Sequence, residues 1–264
     1  MQMRVAVIQM DIQLGDPAAN RARVAQRVRE AAQGADLVVL PELWTTGYVL
    51  PDLAGNLADR NGEPTGSFLS NLARDCGVFL YGSVADQRGE KVYNHGTVYG
   101  PDGTLVAAYD KVHLVPMMKE DRYLTPGDRL TLADLKGIKA GLAICYDVRF
   151  PELFRTLTLA GAQLFLVSAE WPAKRVDHWR TLLMARAIEN QAFVVACNRV
   201  GRDLENVFAG RSMIIDPWGD ILAEGSDDEE EILRATLDFD KVAECRKLIP
   251  SLRDRRPESY HVKA

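Results

Sequence analysis

Glu42 and Cys145 are two chemically capable residues at the ends of predicted apolar strands. Glu42 follows the apolar run 35–40 and lies beside Leu43 and Trp44. A glutamate with apolar neighbours is partly desolvated, which raises its pKa and suits it to take a proton. Cys145 ends the apolar run 138–145, shortly before Pro151 opens a predicted helix. Since a turn between a strand and a helix commonly exposes a nucleophile, Cys145 is a candidate thiol nucleophile.

Lys111 is the third candidate, because it follows a predicted hairpin strand and its ammonium group can stabilise an oxyanion. A base, a cation and a thiol together fit attack on a carbonyl group. Each residue also has an ordinary interpretation: a capping acid, a solvated lysine or a buried cysteine. A buried structural cysteine does not explain the polar cluster of Asp147, Arg149 and Glu152 around Cys145.

The overall composition excludes several other classes of protein. The chain has 264 residues, is 47% hydrophobic, and carries a net charge of −5, which argues against a dedicated nucleic-acid surface. Its four widely spaced cysteines form neither a disulfide scaffold nor a zinc-binding pattern, and the histidines offer no metal cluster. With no signal-peptide pattern and no apolar stretch near ~20 residues, we expect a cytoplasmic protein without a membrane segment.

Hydrophobic periodicity predicts alternating strands and helices along the whole chain. Strands are predicted at 4–9, 35–40, 78–84, 138–145, 163–168, 192–196 and 231–237, hairpins at 92–108 and 211–222, and helices at 20–33, 66–75, 151–160 and 178–190. Each half contains a Gly-Ala segment, then a strand, then an acid, Glu42 in one half and Glu170 in the other. These patterns favour an α/β fold with two related halves, forming one domain over 1–240 with a polar tail over 241–264.

Three ordered motifs resemble those of the carbon–nitrogen hydrolase (nitrilase) superfamily. PELW contains Glu42, YDKVHL contains Lys111, and ICYDVRFPE contains Cys145. The resemblance implies a four-layer α-β-β-α sandwich, a catalytic triad formed by these residues, no cofactor or metal, and assembly into homodimers or larger homo-oligomers. It also implies a second glutamate after the lysine, for which Glu120 is the candidate and Asp121 the alternative.

A finer resemblance concerns the amidase branch. The segments WPAKR, HW and ARAIENQ, between residues 171 and 191, are similar to those of the ω-amidase (2-oxoglutaramate amidase) group. We therefore expect hydrolysis of a small amide that resembles 2-oxoglutaramate. Another branch stays open (a nitrilase, an N-carbamoyl amino-acid amidohydrolase or an aliphatic amidase), and so does a catalytically silent scaffold.

The resemblance also implies a mechanism. Glu42 takes the proton of Cys145, and the thiolate attacks the amide carbonyl. Lys111 and the backbone N–H of Tyr146 hold the oxyanion. Ammonia leaves, and Glu42 then activates the water that hydrolyses the thioester on Cys145. Glu120 positions the substrate or balances the charge beside Lys111.

Four further residues are predicted to bind the substrate. Arg149 and Arg175 are able to hold a substrate carboxylate by paired hydrogen bonds, although arginines also pin turns through ion pairs. Tyr48 and Trp171 are candidate pocket walls, because ligand pockets are mostly apolar and aromatic. Trp171 has packing at the end of a sheet as its alternative interpretation.

Overall fold

The computed structural model describes residues 1–260, and the strands and helices in this range alternate through most of the chain. The strands, in chain order, are β1 Gln2–Gln9, β2 Leu37–Val39, β3 Asp59–Arg60, β4 Phe79–Arg88, β5 Lys91–Tyr99, β6 Leu105–Asp110, β7 Leu132–Leu135, β8 Ile138–Ile144, β9 Leu164–Ala169, β10 Phe193–Asn198, β11 Val200–Arg202, β12 Val207–Ala209, β13 Met213–Ile215, β14 Ile221–Glu224 and β15 Glu231–Asp238. The helices are α1 Pro17–Ala31, α2 Leu50–Asp52, α3 Thr65–Cys76, α4 Glu120–Tyr123, α5 Pro151–Leu159, α6 Val176–Asn190 and α7 Asp240–Leu248.

The first sheet has the strand order β15-β1-β2-β4-β5-β6, with β3 paired to β4. Alternate residues of its central strands point to opposite faces, because the side-chain period of a strand is two. Ala6 and Ile8 of β1 pack with Val24 of α1 and Leu69 of α3. One face of the sheet is therefore covered by the two amphipathic helices that connect its parallel strands.

The second sheet has the order β14-β13-β10-β9-β8-β7, and β8, β9 and β10 are parallel. Helices α5 and α6 connect these three strands and cover the outer face. The phenyl rings of Phe154 in α5 and Phe165 in β9 meet edge to face at 4.8 Å. Gly141 in β8 leaves room for this contact, since a Cβ there would lie 2.8 Å from Phe165 and 2.9 Å from Leu157.

The inner faces of the two sheets pack against each other in one core. Val5 and Val7 of the first sheet share this core with Leu142 and Leu166 of the second. The hydroxyl of Tyr81 in β4 also donates across it to the carbonyl of Ala143 at 2.9 Å. The predicted four-layer α-β-β-α sandwich with two related halves is confirmed, and each half contains three parallel strands joined by two helices.

The observed elements depart from the predicted ones at several places. The strand predicted at 138–145 ends at Ile144, because Cys145 has a φ of 46° and begins a 3-10 turn. The first residues of the predicted tail form helix α7, whose Val242 and Cys245 are buried. The short strands β3, β7, β11 and β12 were not predicted. Residues 261–264 of the predicted tail lie outside the described residues, and no helix in residues 1–260 is long and apolar enough to cross a membrane.

Candidate active site

The candidate residues meet at one edge of the sandwich, where several strands end. Glu42 follows β2, Lys111 follows β6, and both strands run toward this edge of the first sheet. Cys145 and Glu170 follow the parallel strands β8 and β9 of the second sheet. Because the carboxyl ends of strands deliver side chains into a shared crevice, residues far apart in sequence come together here.

A buried charged cluster connects Glu42, Lys111 and Glu120. The Lys111 Nζ lies 2.8 Å from Glu42 Oε1 and 2.7 Å from Glu120 Oε1, and all three side chains are fully buried. Asn94 donates to Glu42 Oε1 at 2.7 Å, and the backbone N–H of Val115 donates to Glu120 Oε2 at 2.7 Å. Of the two acids considered from the sequence, Glu120 joins this buried cluster, whereas Asp121 is exposed.

The two carboxylates and the lysine shift one another's protonation. Burial alone lowers the pKa of Lys111, but the Glu120 and Glu42 carboxylates outweigh this effect and hold the pKa well above its usual value. Burial raises the pKa of Glu120, and Lys111 opposes that rise. The two carboxylates thus favour the charged form of Lys111, and a positive charge is what stabilises a developing oxyanion.

Cys145 is presented by a tight turn that Asp147 fixes. The Asp147 carboxylate accepts the backbone N–H of Ile144 at 2.9 Å, the Tyr109 hydroxyl at 2.7 Å and the backbone N–H of His113 at 3.1 Å. Asp147 therefore ties the turn of Cys145 to the segment that carries Lys111. A buried carboxylate with several donors is stable in this place, and it explains the polar residues that follow the cysteine.

The thiol of Cys145 is 3% exposed, and its environment favours the protonated form. Burial raises its pKa, and the charge of the Glu42 carboxylate raises it further. A thiol of this kind is a weak nucleophile until a base removes its proton. Glu42 is the neighbouring carboxylate able to do so.

The backbone N–H of Tyr146 belongs to the start of the 3-10 turn Cys145–Arg149. The first N–H groups of a helical turn have no partner within it and are therefore available to an acceptor. A carbonyl oxygen attacked by Cys145 would develop its charge near this group and near the Lys111 ammonium. The arrangement can thus deprotonate a thiol and stabilise an oxyanion in one place.

A cavity of about 180 Å³ opens onto Cys145. Its lining combines apolar side chains with three basic ones, those of Arg149, Lys174 and Arg175. The lining residues are Val115, Met117, Met118, Cys145, Tyr146, Arg149, Trp171, Pro172, Lys174, Arg175 and Asn206.

Three of the four predicted substrate-binding residues line this cavity. The guanidinium of Arg149 lies 4.6 Å from the centre of the Trp171 ring, and the Trp171 indole N–H donates to the carbonyl of Arg175 at 2.7 Å. Tyr48 lies elsewhere: its hydroxyl donates to Glu120 Oε1 and lies 3.2 Å from Glu42 Oε1. Tyr48 therefore contacts the charged cluster and is not one of the residues lining this cavity.

Three polar residues at this site carry no motif that predicts them from the sequence. Asn94 and the backbone N–H of Glu170 donate to the two oxygens of Glu42, and Lys174 adds a third basic group to the cavity. The repeated strand-and-acid pattern that paired Glu170 with Glu42 was the available signal for Glu170. Asn94 lies within a strand whose pattern carried no sign of chemistry.

No group of three or more His, Cys, Asp or Glu side chains in residues 1–260 has an arrangement that could hold a metal ion. The polar groups that face Glu42 and Glu120 are an ammonium, an amide, a phenol and backbone N–H groups. All of these are hydrogen-bond donors to carboxylates.

Comparisons with known proteins give consistent matches over nearly the whole chain. The family model described as carbon-nitrogen hydrolase matches residues 4–247. A Bacillus subtilis (strain 168) protein named 2-oxoglutaramate amidase is 44% identical over 261 residues, which cover 98% of this chain and 100% of that protein. Omega-amidase NIT2 of Homo sapiens is 35% identical over 277 residues, covering 98% of this chain and 97% of that protein.

A similar solved structure is XC1258 of Xanthomonas campestris, described as a CN-hydrolase superfamily protein with an arsenic adduct in the active site. It has a TM-score of 0.91 at 31% sequence identity, with complete coverage of both chains. The four-layer architecture is therefore shared with a protein whose sequence is only about one third identical.

Proposed function

Because this chain belongs to the carbon–nitrogen hydrolase family and is an amidase of non-peptide amides, we propose that it is an ω-amidase acting through Cys145. The reaction converts a small amide into a carboxylate and ammonia. The observation that carries the proposal is the position of Cys145 in the wall of the cavity, beside the buried cluster of Glu42, Lys111 and Glu120.

In the proposed mechanism, Glu42 removes the thiol proton and the sulfur attacks the amide carbonyl carbon. The oxyanion is held by the Lys111 ammonium and the Tyr146 N–H. When the C–N bond breaks, the leaving nitrogen takes the proton from Glu42 and departs as ammonia, leaving a thioester. Glu42 then takes a proton from water, and the resulting hydroxide releases the carboxylate and restores the thiol.

Glu120 has a supporting role in this proposal. Its carboxylate contacts the Lys111 ammonium and the Tyr48 hydroxyl, and it is held by the Val115 backbone. It therefore keeps the lysine aimed at the oxyanion site and balances its charge when Glu42 becomes protonated.

The proposed substrate carries a carboxylate at the end remote from its amide, as 2-oxoglutaramate does. What supports this is the basic part of the cavity lining, to which Arg149, Lys174 and Arg175 belong. Arg175 and Lys174 are exposed, whereas Arg149 is half-buried against Trp171. A guanidinium can bind a carboxylate with two hydrogen bonds, which gives both orientation and affinity.

Ammonia release from a panel of amides tests this substrate class. We expect 2-oxoglutaramate and succinamate to have kcat/KM values at least about tenfold above those of butyramide, since a charged pair adds more than 1 kcal/mol. Glutamine, N-carbamoyl amino acids and nitriles complete the panel. A preference for nitriles or for carbamoyl substrates would instead place the protein in another branch of the family.

The basic residues provide the matched control for this panel. Arg149→Met and Arg175→Met should each be measured with succinamate and with neutral butyramide. At least one of them is expected to raise the KM of succinamate by about tenfold while leaving butyramide unchanged. Equal losses on both amides would show that the arginines support the turn rather than bind a carboxylate.

We further propose that the protein forms homodimers or larger homo-oligomers through the surface near the end of α7. Supporting this are exposed apolar side chains in this part of the molecule, Leu248 at 71% and Ile249 at 52% exposure, close to Trp218 at 36%. A two-fold interface uses the same surface patch on both copies. A single substitution in the patch therefore alters the interface at two positions.

Leu248→Asp is therefore expected to reduce the molar mass measured by light scattering to that of a single chain. Leu105→Asp is the control, because Leu105 is similarly exposed at the start of β6. A wild-type protein that is already monomeric would contradict the proposal.

A cytoplasmic location is also proposed. Cys76, Cys145, Cys197 and Cys245 are all free, as is usual in a reducing compartment. Recovery of the native protein from a secreted or periplasmic fraction would contradict this location.

A further inference from the structure

The two oxygens of the Glu42 carboxylate are held by different parts of the molecule. Oε1 accepts from Lys111 and Asn94, both in the first half of the chain. Oε2 accepts the backbone N–H of Glu170 at 2.8 Å, across the boundary between the two sheets. The orientation of the carboxylate therefore depends on where the end of β9 places this N–H.

The Glu170 side chain is buried and bound to Arg199. It is 0% exposed, it does not line the cavity, and its Oε2 accepts from Arg199 Nη1 at 2.8 Å. Burial raises the pKa of Glu170 to about 8, and the charge of Arg199 opposes this rise. A buried acid of this kind has a large desolvation cost, so its partner is essential to its position.

Arg199 is a fully buried anchor that joins three strand ends. Its Nη2 donates to Asp11 Oδ1 at 2.6 Å and to the Ile12 carbonyl at 3.1 Å, in the segment after β1. Its guanidinium also lies 4.6 Å from the centre of the Phe208 ring. Arg199 follows β10, so it links the segments after β1, β9 and β10 at the edge where Glu42 lies.

We propose that Arg199 and Glu170 are positioning residues for Glu42: Arg199 fixes the Glu170 side chain, and Glu170 holds its own N–H against Glu42 Oε2. This inference rests on the proposed role of Glu42 as the base. Neither residue contacts the cavity, so the pair acts on the reaction through the orientation of that carboxylate. Misplacing a catalytic group by about 1 Å can lower the rate about 100-fold. An ion pair that keeps the Glu42 carboxylate in its orientation therefore preserves the rate.

Arg199→Met tests the inference by removing the anchor while keeping most of the buried volume. We expect kcat to fall about 10- to 100-fold with KM within twofold of wild type, because the cavity lining is unchanged. Arg199→Lys should recover part of the lost kcat, since an ammonium can still bind Glu170. Glu170→Gln should stay within a few-fold of wild type, because it keeps both the N–H and an acceptor for Arg199.

Arg234→Met is the matched control. Arg234 likewise donates to backbone carbonyls, those of Ala31 and Glu30 at the end of α1, and lies away from Glu42. It should leave kcat unchanged while lowering the thermal stability. An unchanged kcat in Arg199→Met, a raised KM alone, or no recovery by Arg199→Lys would overturn the inference.

Two further variants, Glu170→Met and Glu42→Gln, separate a failure of the positioning role from a failure to fold and from a failure of the proposed base. If Arg199→Met does not fold, Glu170→Met decides: it must lower kcat with KM preserved, and a wild-type kcat overturns the inference. If Glu42→Gln retains activity, the proposed role of Glu42 as the base fails, and the positioning role fails with it. If Glu42→Gln is inactive while Arg199→Met matches wild type, only the positioning role fails.

Discussion

Replacing Cys145 by alanine is expected to lower ammonia release from the best amide by at least about 10⁴-fold. The substitution removes the atom that forms the thioester, and the remaining Lys111 and Tyr146 groups can only stabilise charge. The measurement is kcat for ammonia release, with mass spectrometry of the protein mixed with substrate. Wild-type protein should gain the mass of the acyl group during turnover, and Cys145→Ala should not.

Cys76→Ala is the control for this experiment. Cys76 ends α3, is partly exposed, and lies on the outer layer of the sandwich. It should keep wild-type activity and still form the acyl adduct at Cys145. Persistent ammonia release by Cys145→Ala, at a rate within tenfold of wild type, would contradict a cysteine mechanism.

Glu42→Gln is the second substitution with a large expected effect. An amide cannot take the thiol proton, so kcat/KM should fall by about 10³-fold. Alkylation of Cys145 by iodoacetamide should slow as well, because the pKa of this buried thiol is raised and its proton needs a base. The two readouts separate thiol activation from substrate binding.

The stability of Glu42→Gln distinguishes a lost base from a damaged fold. The wild-type cluster holds two carboxylates and one lysine, whereas the variant holds the balanced pair of Lys111 and Glu120. The new amide nitrogen faces only donors, which offsets the gain from removing one of two like charges. The midpoint of thermal unfolding should therefore stay close to that of wild type. Asp59→Asn removes another buried carboxylate, bound to Thr65 and remote from the site, and should retain activity. An active Glu42→Gln would contradict the assignment of the base.

Site residues that lie at the ends of apolar segments could be predicted from the sequence. Glu42 and Lys111 stand directly after strands, so the alternation of apolar residues located them. Their convergence with Cys145 followed from family resemblance, because no local pattern states which strand ends meet. The main hairpins were also predictable, since their turns contain Pro, Gly and Asp at the positions that such turns require.

Features that depend on contacts between the halves were not predictable in the same way. The left-handed backbone of Cys145 is stabilised by Asp147, whose donors Tyr109 and His113 come from the other half. The Arg199–Glu170 ion pair likewise reaches Glu42 only because the two sheets face each other in the folded protein. These interactions join residues that lie far apart in the sequence, and the propensities of single residues carry no information about such contacts.

The chain path joins the two halves directly, because β15 pairs with β1 instead of joining the sheet formed by its own half. The first half supplies Glu42, Lys111 and Glu120, and the second supplies Cys145 and Glu170. Neither half alone therefore carries both the base and the nucleophile. The pairing of β15 with β1 fastens the half that carries Cys145 to the half that carries Glu42.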